Sequence, residues 1–226
     1  MFRIKNRSII VSYMTLRKLI GILGVLLPFI CILGGFLFAG LSVQESISAY
    51  YHTNMRDFFV GLISGVSLFL ITYQGHEIID NIVTSLSGLA GLGIAVFPCL
   101  YSTTSTRPLG IFQLEPATSN TVHLICASAF FILLALNSLF LFTLTKSKKI
   151  PKTRNKRTRN FIYRVCGLSI LISLISLFLI LFLADQKQVK QNSIILIFET
   201  IMLFAFGISW LVKGETLFKD RQKKLD

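Results

Sequence analysis

Residues 19–43 read LIGILGVLLPFICILGGFLFAGLSV, 25 positions without one charged side chain. Wound as a helix at 1.5 Å per residue, the stretch is roughly 38 Å long, more than the roughly 30 Å of hydrocarbon in a bilayer. Five more runs of the same kind follow, at 58–75, 81–101, 122–145, 165–184 and 193–212. Only the last is interrupted, by Glu199. The pattern predicts an all-α, polytopic bundle of six transmembrane helices forming one domain over residues 1–226. Composition agrees: 53% of the 226 residues are hydrophobic and 15% charged, where soluble domains carry about 25% charged residues. Mean hydropathy is +0.70. The first run is too long for the 7–15-residue core of a signal peptide and lacks a small-residue cleavage site after it, so it reads as a retained helix.

Orientation follows from Lys and Arg, which accumulate on the cytoplasmic flanks of short loops. Of 23 such residues, five precede span one, nine lie between spans four and five (146–164), and five follow span six. Arg56, Arg107, Lys187 and Lys190 are left for the other side. Both termini are therefore expected in the cytoplasm, which an even number of spans also requires. The formal charge of +13 is read as topology rather than as a nucleic-acid footprint, since the basic loop has no interleaved aromatics for bases to stack on. Its Lys148, Lys149, Lys152, Arg154, Lys156, Arg157 and Arg159 are expected to meet anionic lipid. The expected partners are thus membrane lipids, with no nucleic acid. There is no phosphate-binding Gly-rich loop, dinucleotide fingerprint, HExxH or GxSxG, which excludes nucleotide-driven chemistry. Cys31, Cys99, Cys126 and Cys166 are scattered singly and read as small buried hydrophobes.

The polar residues concentrate at the outer ends of the spans. Between spans one and two lie Ser48, Tyr50, Tyr51, His52, Arg56 and Asp57. His123 opens span four, and Glu199 sits six residues into span six, roughly 9 Å below its outer end. An ionisable side chain within a span is a functional candidate with a partner to be found, and His123, Arg56 and His52 are the partners in reach. If spans two, four and six converge, Ser48, Tyr51, His52, Arg56, Asp57, His123 and Glu199 would line one outward-facing polar pocket. As alternatives, Tyr50 and Tyr51 read as an interfacial aromatic belt and Asp57 as the dipole-favoured start of span two. Asn137, close to four turns beyond His123, shares its face and reads as an interhelical hydrogen-bonding residue. In the turn between spans two and three, Asp80 reads as the cap of span three, with His76 four residues before it on the same face. Small residues at Gly61 and Gly65 in span two, and at Thr84, Ser87, Gly88 and Gly91 in span three, predict that these two spans pack most closely. Spans four and five, rich in Leu, Ile and Phe, are expected to face lipid.

The segment Ser46-Ile47-Ser48-Ala49-Tyr50-Tyr51-His52-Thr53, with Met55-Arg56-Asp57-Phe58-Phe59-Val60-Gly61 after it, resembles the signature of an uncharacterised group of bacterial six-span membrane proteins. The stretch from Asp80-Asn81 to Phe97-Pro98, and His123 with Ser138 beyond it, are similar to that group as well. The resemblance covers the chain from span one to span five and implies a multi-pass protein of the plasma (bacterial inner) membrane; it implies no activity. Separately, Ser48 and His52 have the Ser-x-x-x-His spacing of the CREST membrane hydrolases, such as alkaline ceramidases and adiponectin-receptor-like proteins. That resemblance implies a zinc held by three histidines. This chain departs from the pattern: it has no C-terminal His-x-x-x-His pair and no seventh span, which leaves His52, Asp57 and His123 as the metal set such a reading would need.

The functional expectation is an integral membrane protein, without a cofactor, whose outward-facing pocket binds or moves a lipid headgroup, a small solute or a proton. The alternatives are a CREST-like zinc-dependent hydrolase and a membrane scaffold or assembly factor.

Overall fold

The computed structural model describes residues 2–75, 77–101, 107–144, 153–183 and 193–216, with side chains from Tyr13 onward. Its elements in chain order are α1 (Phe2–Phe29), a π-helical turn (Ile30–Gly34) and α2 (Gly35–Ala39), then a 3-10 turn (Ser48–His52). There follow α3 (Arg56–Thr72), α4 (Ile78–Val96), α5 (Pro116–Leu136) with a π-helical turn (Asn137–Leu141), α6 (Arg154–Leu183) and α7 (Ile194–Lys213). Among the described residues there is no strand, only an isolated bridge between Leu109 and Leu114.

Among the described residues, five helices are long and apolar enough to cross a membrane: Tyr13–Ala39, Ile78–Val96, Pro116–Leu141, Arg154–Leu183 and Ile194–Lys213. The second apolar run forms α3, which at 17 residues is roughly 26 Å long and falls short of the bilayer core. It stops at Thr72 because Tyr73 turns extended, at ψ 130°, where its hydroxyl oxygen accepts from the Arg17 guanidinium.

Element ends depart from the apolar runs for local reasons. Pro28 has no N–H for the carbonyl one turn back, and just beyond it the helix loosens into the π-helical turn over Ile30–Gly34. Gly40, at φ +61°, ends α2 in the left-handed region that a side chain would oppose. α4 stops at Val96 because Pro98 biases Phe97 to an extended backbone. Pro116 opens α5 at a position where its missing N–H costs nothing. The largest correction falls on the basic loop: from Arg154 onward it is the first turns of α6, since Arg and Lys propagate a helix nearly as well as Ala.

The helices close into a ring in chain order, α1 against α3, then α4, α5, α6 and α7, with α7 returning to α1. Within the ring lie Phe130, Phe206, Trp210, Phe142 and Tyr163, each edge-on to the next with centroids 5.1–6.5 Å apart. α3 and α4 pack closely, and so do α1 and α7, where a Cβ on Gly21 or Gly207 would strike the facing backbone; at α3–α4 only α4 supplies the glycines. A Cβ on Gly88 or Gly91 would strike the Ser67 backbone oxygen or side chain, whereas Gly61 faces open space and Gly65 makes only an ordinary contact with Leu23. α6 is the most exposed of the five long helices, with 22% of its apolar window buried against 44% for α4 and α7 and 33% for α5.

Candidate functional site

Past Gly40 the chain does not leave the bundle but folds back into its end. The Leu196 N–H at the start of α7 donates to the Glu45 carbonyl at 3.0 Å, and the 3-10 turn at Ser48–His52 is held by Ser46 Oγ, which accepts the Ala49 N–H at 2.9 Å. Thr53 Oγ1 donates to the Tyr50 carbonyl at 2.8 Å and closes the far side. Ile47, Ala49 and Tyr50 are 1–2% exposed. Tyr50 and Tyr51 are therefore interior side chains rather than an interfacial belt, and burial raises the Tyr50 hydroxyl above its ordinary pKa. The turn is a plug in the ring.

The plug carries Ser48 between Glu199 and His123. Glu199 Oε2 accepts the Ile47 N–H at 2.5 Å, and Ser48 Oγ lies 3.4 Å from Oε1. On its other side Ser48 Oγ is 3.1 Å from His123 Nε2, while His123 Nδ1 is 2.7 Å from the Phe97 carbonyl. A carbonyl only accepts, so Nδ1 carries a proton. Two hydrogen-bonding states fit this geometry. With both end groups neutral, the protonated carboxyl donates to Ser48 Oγ, which donates to the bare Nε2. With both charged, Nε2–H donates to Ser48 Oγ, which donates to the carboxylate. The two differ by one proton moved at each end of the serine.

Local sequence explains how His123 is held. The Phe97 carbonyl is one of the orphan acceptors at the end of α4, and the first turns of α5 clasp that end. Ser119 Oγ donates to the Pro98 carbonyl at 2.8 Å and Asn120 Oδ1 accepts the Leu100 N–H at 2.8 Å. Ser119, Asn120 and His123 fall on one helical face. A helix C-terminus also favours a cation beside it. Neither Ser119 nor Asn120 stood out in the sequence; the Pro98 that ends α4 was the available signal.

Leu27, Ile47, Ser48, Phe59, Ile63, Ile94, Ala127, Phe130, Phe131, Glu199 and Leu203 line a cavity of about 30 Å³. That is space for one or two waters. α3, α5 and α7 do converge here, but they bring a narrower set together than the seven residues expected. His52 Nε2 is 2.8 Å from the Cys99 carbonyl and its ring stacks on Tyr101. Arg56 is exposed and donates to Tyr51 Oη at 3.0 Å, lying over that ring. Asp57 is exposed at the start of α3. None of these three residues lines the cavity.

The metal set of His52, Asp57 and His123 is likewise not assembled, and among the described residues no three His, Cys, Asp or Glu side chains come together as a ligand group. Both ring nitrogens of His123 are engaged. Ser48 and His52, paired by spacing, point to different partners. All four cysteines are free thiols.

At the other end of the ring, Asp80 and Glu77 form a reciprocal capping box at the start of α4. Asn137 is 1% exposed and its Nδ2 has no partner, so the interhelical hydrogen bond runs instead from its neighbour Ser138 to Ser209 Oγ at 3.0 Å. Arg154 and Arg157 are exposed. Arg159 is buried and Lys156 turns back to the Phe142 and Leu144 carbonyls, so neither is the freely solvated lipid contact expected. Lys148, Lys149, Lys152 and His76 lie outside the described residues. No protein-family model, curated protein or solved structure matches the chain.

Proposed function

We propose that the chain is a six-span protein of the plasma (bacterial inner) membrane, both termini cytoplasmic, that binds a proton at its outer end and passes it between Glu199 and His123 through Ser48. The observation that carries this reading is the unbroken contact Glu199–Ser48–His123–Phe97, in which one serine hydroxyl touches both titratable groups. The proton leaves Glu199 Oε1 for Ser48 Oγ as the serine's own proton goes to His123 Nε2. The products are a carboxylate and an imidazolium, and charge is conserved. A cavity of about 30 Å³ suits a proton and its waters; a lipid headgroup or an organic solute needs several times that space. The count of Lys and Arg supports the orientation, and α3 is the sixth span in this reading, completed by the residues flanking it. The resemblance to bacterial six-span proteins supports the location.

Infrared difference spectroscopy of the reconstituted full chain tests the proposal. Titration between about pH 4 and pH 9, which brackets carboxyl and imidazole groups, is expected to reveal a protonated-carboxyl band and an imidazolium band that change together. Both changes should disappear in Glu199→Gln. A carboxyl band that survives that substitution, or no titration of either group, refutes the reading. Full retention of biological phenotype in Glu199→Gln and His123→Ala would favour the scaffold alternative.

A further inference from the structure

The plug is held differently at its ends and in its middle. At the ends it is tied to backbone: the Glu45 carbonyl accepts the Leu196 N–H, and His52 Nε2 lies 2.8 Å from the Cys99 carbonyl. In the middle, Ile47 and Ser48 are tied to two side chains that titrate, Glu199 of α7 and His123 of α5. Towards α1 the plug rests on bare backbone. A Cβ on Gly34 would come within 2.8 Å of Met55 Cε, and one on Gly35 within 3.0 Å of Tyr50 Cε1. Upstream the chain turns at Gly40, which has φ +61° and open space around it.

Counting protons shows what the middle depends on. With the one proton of the relay in place, Glu199, Ser48 and His123 together are neutral, and both contacts of the Ser48 hydroxyl are made whichever end holds the proton. Without it, a carboxylate and the bare Nε2 are two acceptors facing one hydroxyl hydrogen. That hydrogen goes to the carboxylate, since a charged acceptor makes the stronger bond, and the contact with His123 is lost. A net negative charge is then left beside a cavity whose lining, apart from Ser48 and Glu199, is apolar. A charge in such a place is costly unless it is paired or hydrated. Nothing that faces the two groups supplies a pairing cation at alkaline pH. Cys31 of α1 faces Glu199 and His52 of the plug faces His123, and neither a thiol nor a neutral imidazole is positive. α3 and α4 present Phe59, Ile63 and Ile94.

We propose that the middle of the plug is a proton-operated latch: while the proton is bound it closes the cavity against α5, and when the proton is lost Ser48 parts from His123 and water enters the cavity from the plug's side. This rests on the proton-binding reading above and adds its consequence. The site converts an alkaline shift on one face of the membrane into a change of shape, and the two backbone ties keep the ends of the plug in place while its middle moves.

Ile94 lines the cavity and is 5% exposed, so a thiol there reports the opening. Ile94→Cys in a cysteine-free full chain, held in nanodiscs, is reacted with 2-aminoethyl methanethiosulfonate between about pH 5 and pH 9. Each rate is divided by that of Asp57→Cys at the exposed start of α3, which cancels the ordinary growth of thiolate with pH. The ratio is expected to rise by about tenfold, the change in an opening equilibrium that one hydrogen bond to a charged group brings. Its midpoint should coincide with that of the carboxyl infrared band of the same sample. Glu199→Gln, neutral at every pH, should hold the ratio at its acid value. Leu203→Cys, 4% exposed on α7, takes the place of Ile94→Cys if circular dichroism finds the latter unfolded. A flat ratio while the infrared bands still change together overturns the latch and leaves the proton reading standing; absence of the coupled bands overturns both. A rise that persists in folded Glu199→Gln overturns the latch, and if that variant does not fold, a rise displaced from the carboxyl midpoint does so.

Discussion

Ser48 is the residue on which the site at the plug turns, because its one hydroxyl can donate to either neighbour while accepting from the other. Ser48→Ala removes that bridge and leaves the Glu199–Ile47 hydrogen bond in place. The carboxyl and imidazolium infrared changes are then expected to separate into two independent titrations. Thermal melting should fall by no more than the roughly 0.5–1.5 kcal/mol of one hydrogen bond. A coupled titration that persists in Ser48→Ala would mean that the proton travels another way. Asp57 offers the contrast. It is exposed and off the cavity, so Asp57→Asn should leave both bands unchanged and cost under about 0.5 kcal/mol. Tyr73 belongs to the opposite end: Tyr73→Phe takes one acceptor from a buried guanidinium, and a loss of about 1–3 kcal/mol is expected by chemical denaturation. A loss near zero would mean that Tyr13 and the Lys213 carbonyl, which also accept from Arg17, suffice.

At the scale of elements, small residues matter only where two backbones meet. Gly88→Ala and Gly91→Ala each drive a methyl group into Ser67 of α3, and overpacking of this kind costs about 1–3 kcal/mol. Gly61→Ala and Gly65→Ala meet open space and an ordinary contact, and should be neutral or slightly stabilising through better helix propensity. Thermal unfolding in detergent checks all four, and equal effects would contradict the α3–α4 packing. Spacing alone made the two pairs look equivalent, because a small-xxx-small pattern tells which face permits close approach and not whether a partner fills it. The capping box at Glu77 and Asp80 is different in kind: it lies within one turn of chain, so its reading needed no neighbour.

At the scale of the molecule, the ring of helices places the plug at one end and the buried Arg17 at the other. The proposed topology puts the plug outside and Arg17 at the cytoplasmic end. Single cysteines introduced into a cysteine-free chain test this directly: Asp57→Cys should react with a membrane-impermeant maleimide in intact cells, and Arg154→Cys only after lysis. The reverse pattern would invert the orientation, and labelling of both from outside would leave an even number of spans between them rather than the three of this reading.

That the chain is helical and suited to lipid was already legible in its sequence, since a bilayer demands long apolar runs whose backbone polar groups are satisfied within the segment. Such runs are local and can be counted along the chain. The sequence also marked Glu199 and His123 as ionisable residues inside apolar runs, because that property too belongs to a short window. Which polar residues meet was legible only once the chain was folded. Ser48 lies 75 and 151 positions from the two residues it joins, and His52, Arg56 and Asp57, its chain neighbours, turn elsewhere. The contacts of Arg17 were equally hidden, for they join α1 and α7 with Tyr73 after α3. Hydrogen bonds reach about 3 Å in space and have no preferred separation in sequence, so the fold alone selects the partners.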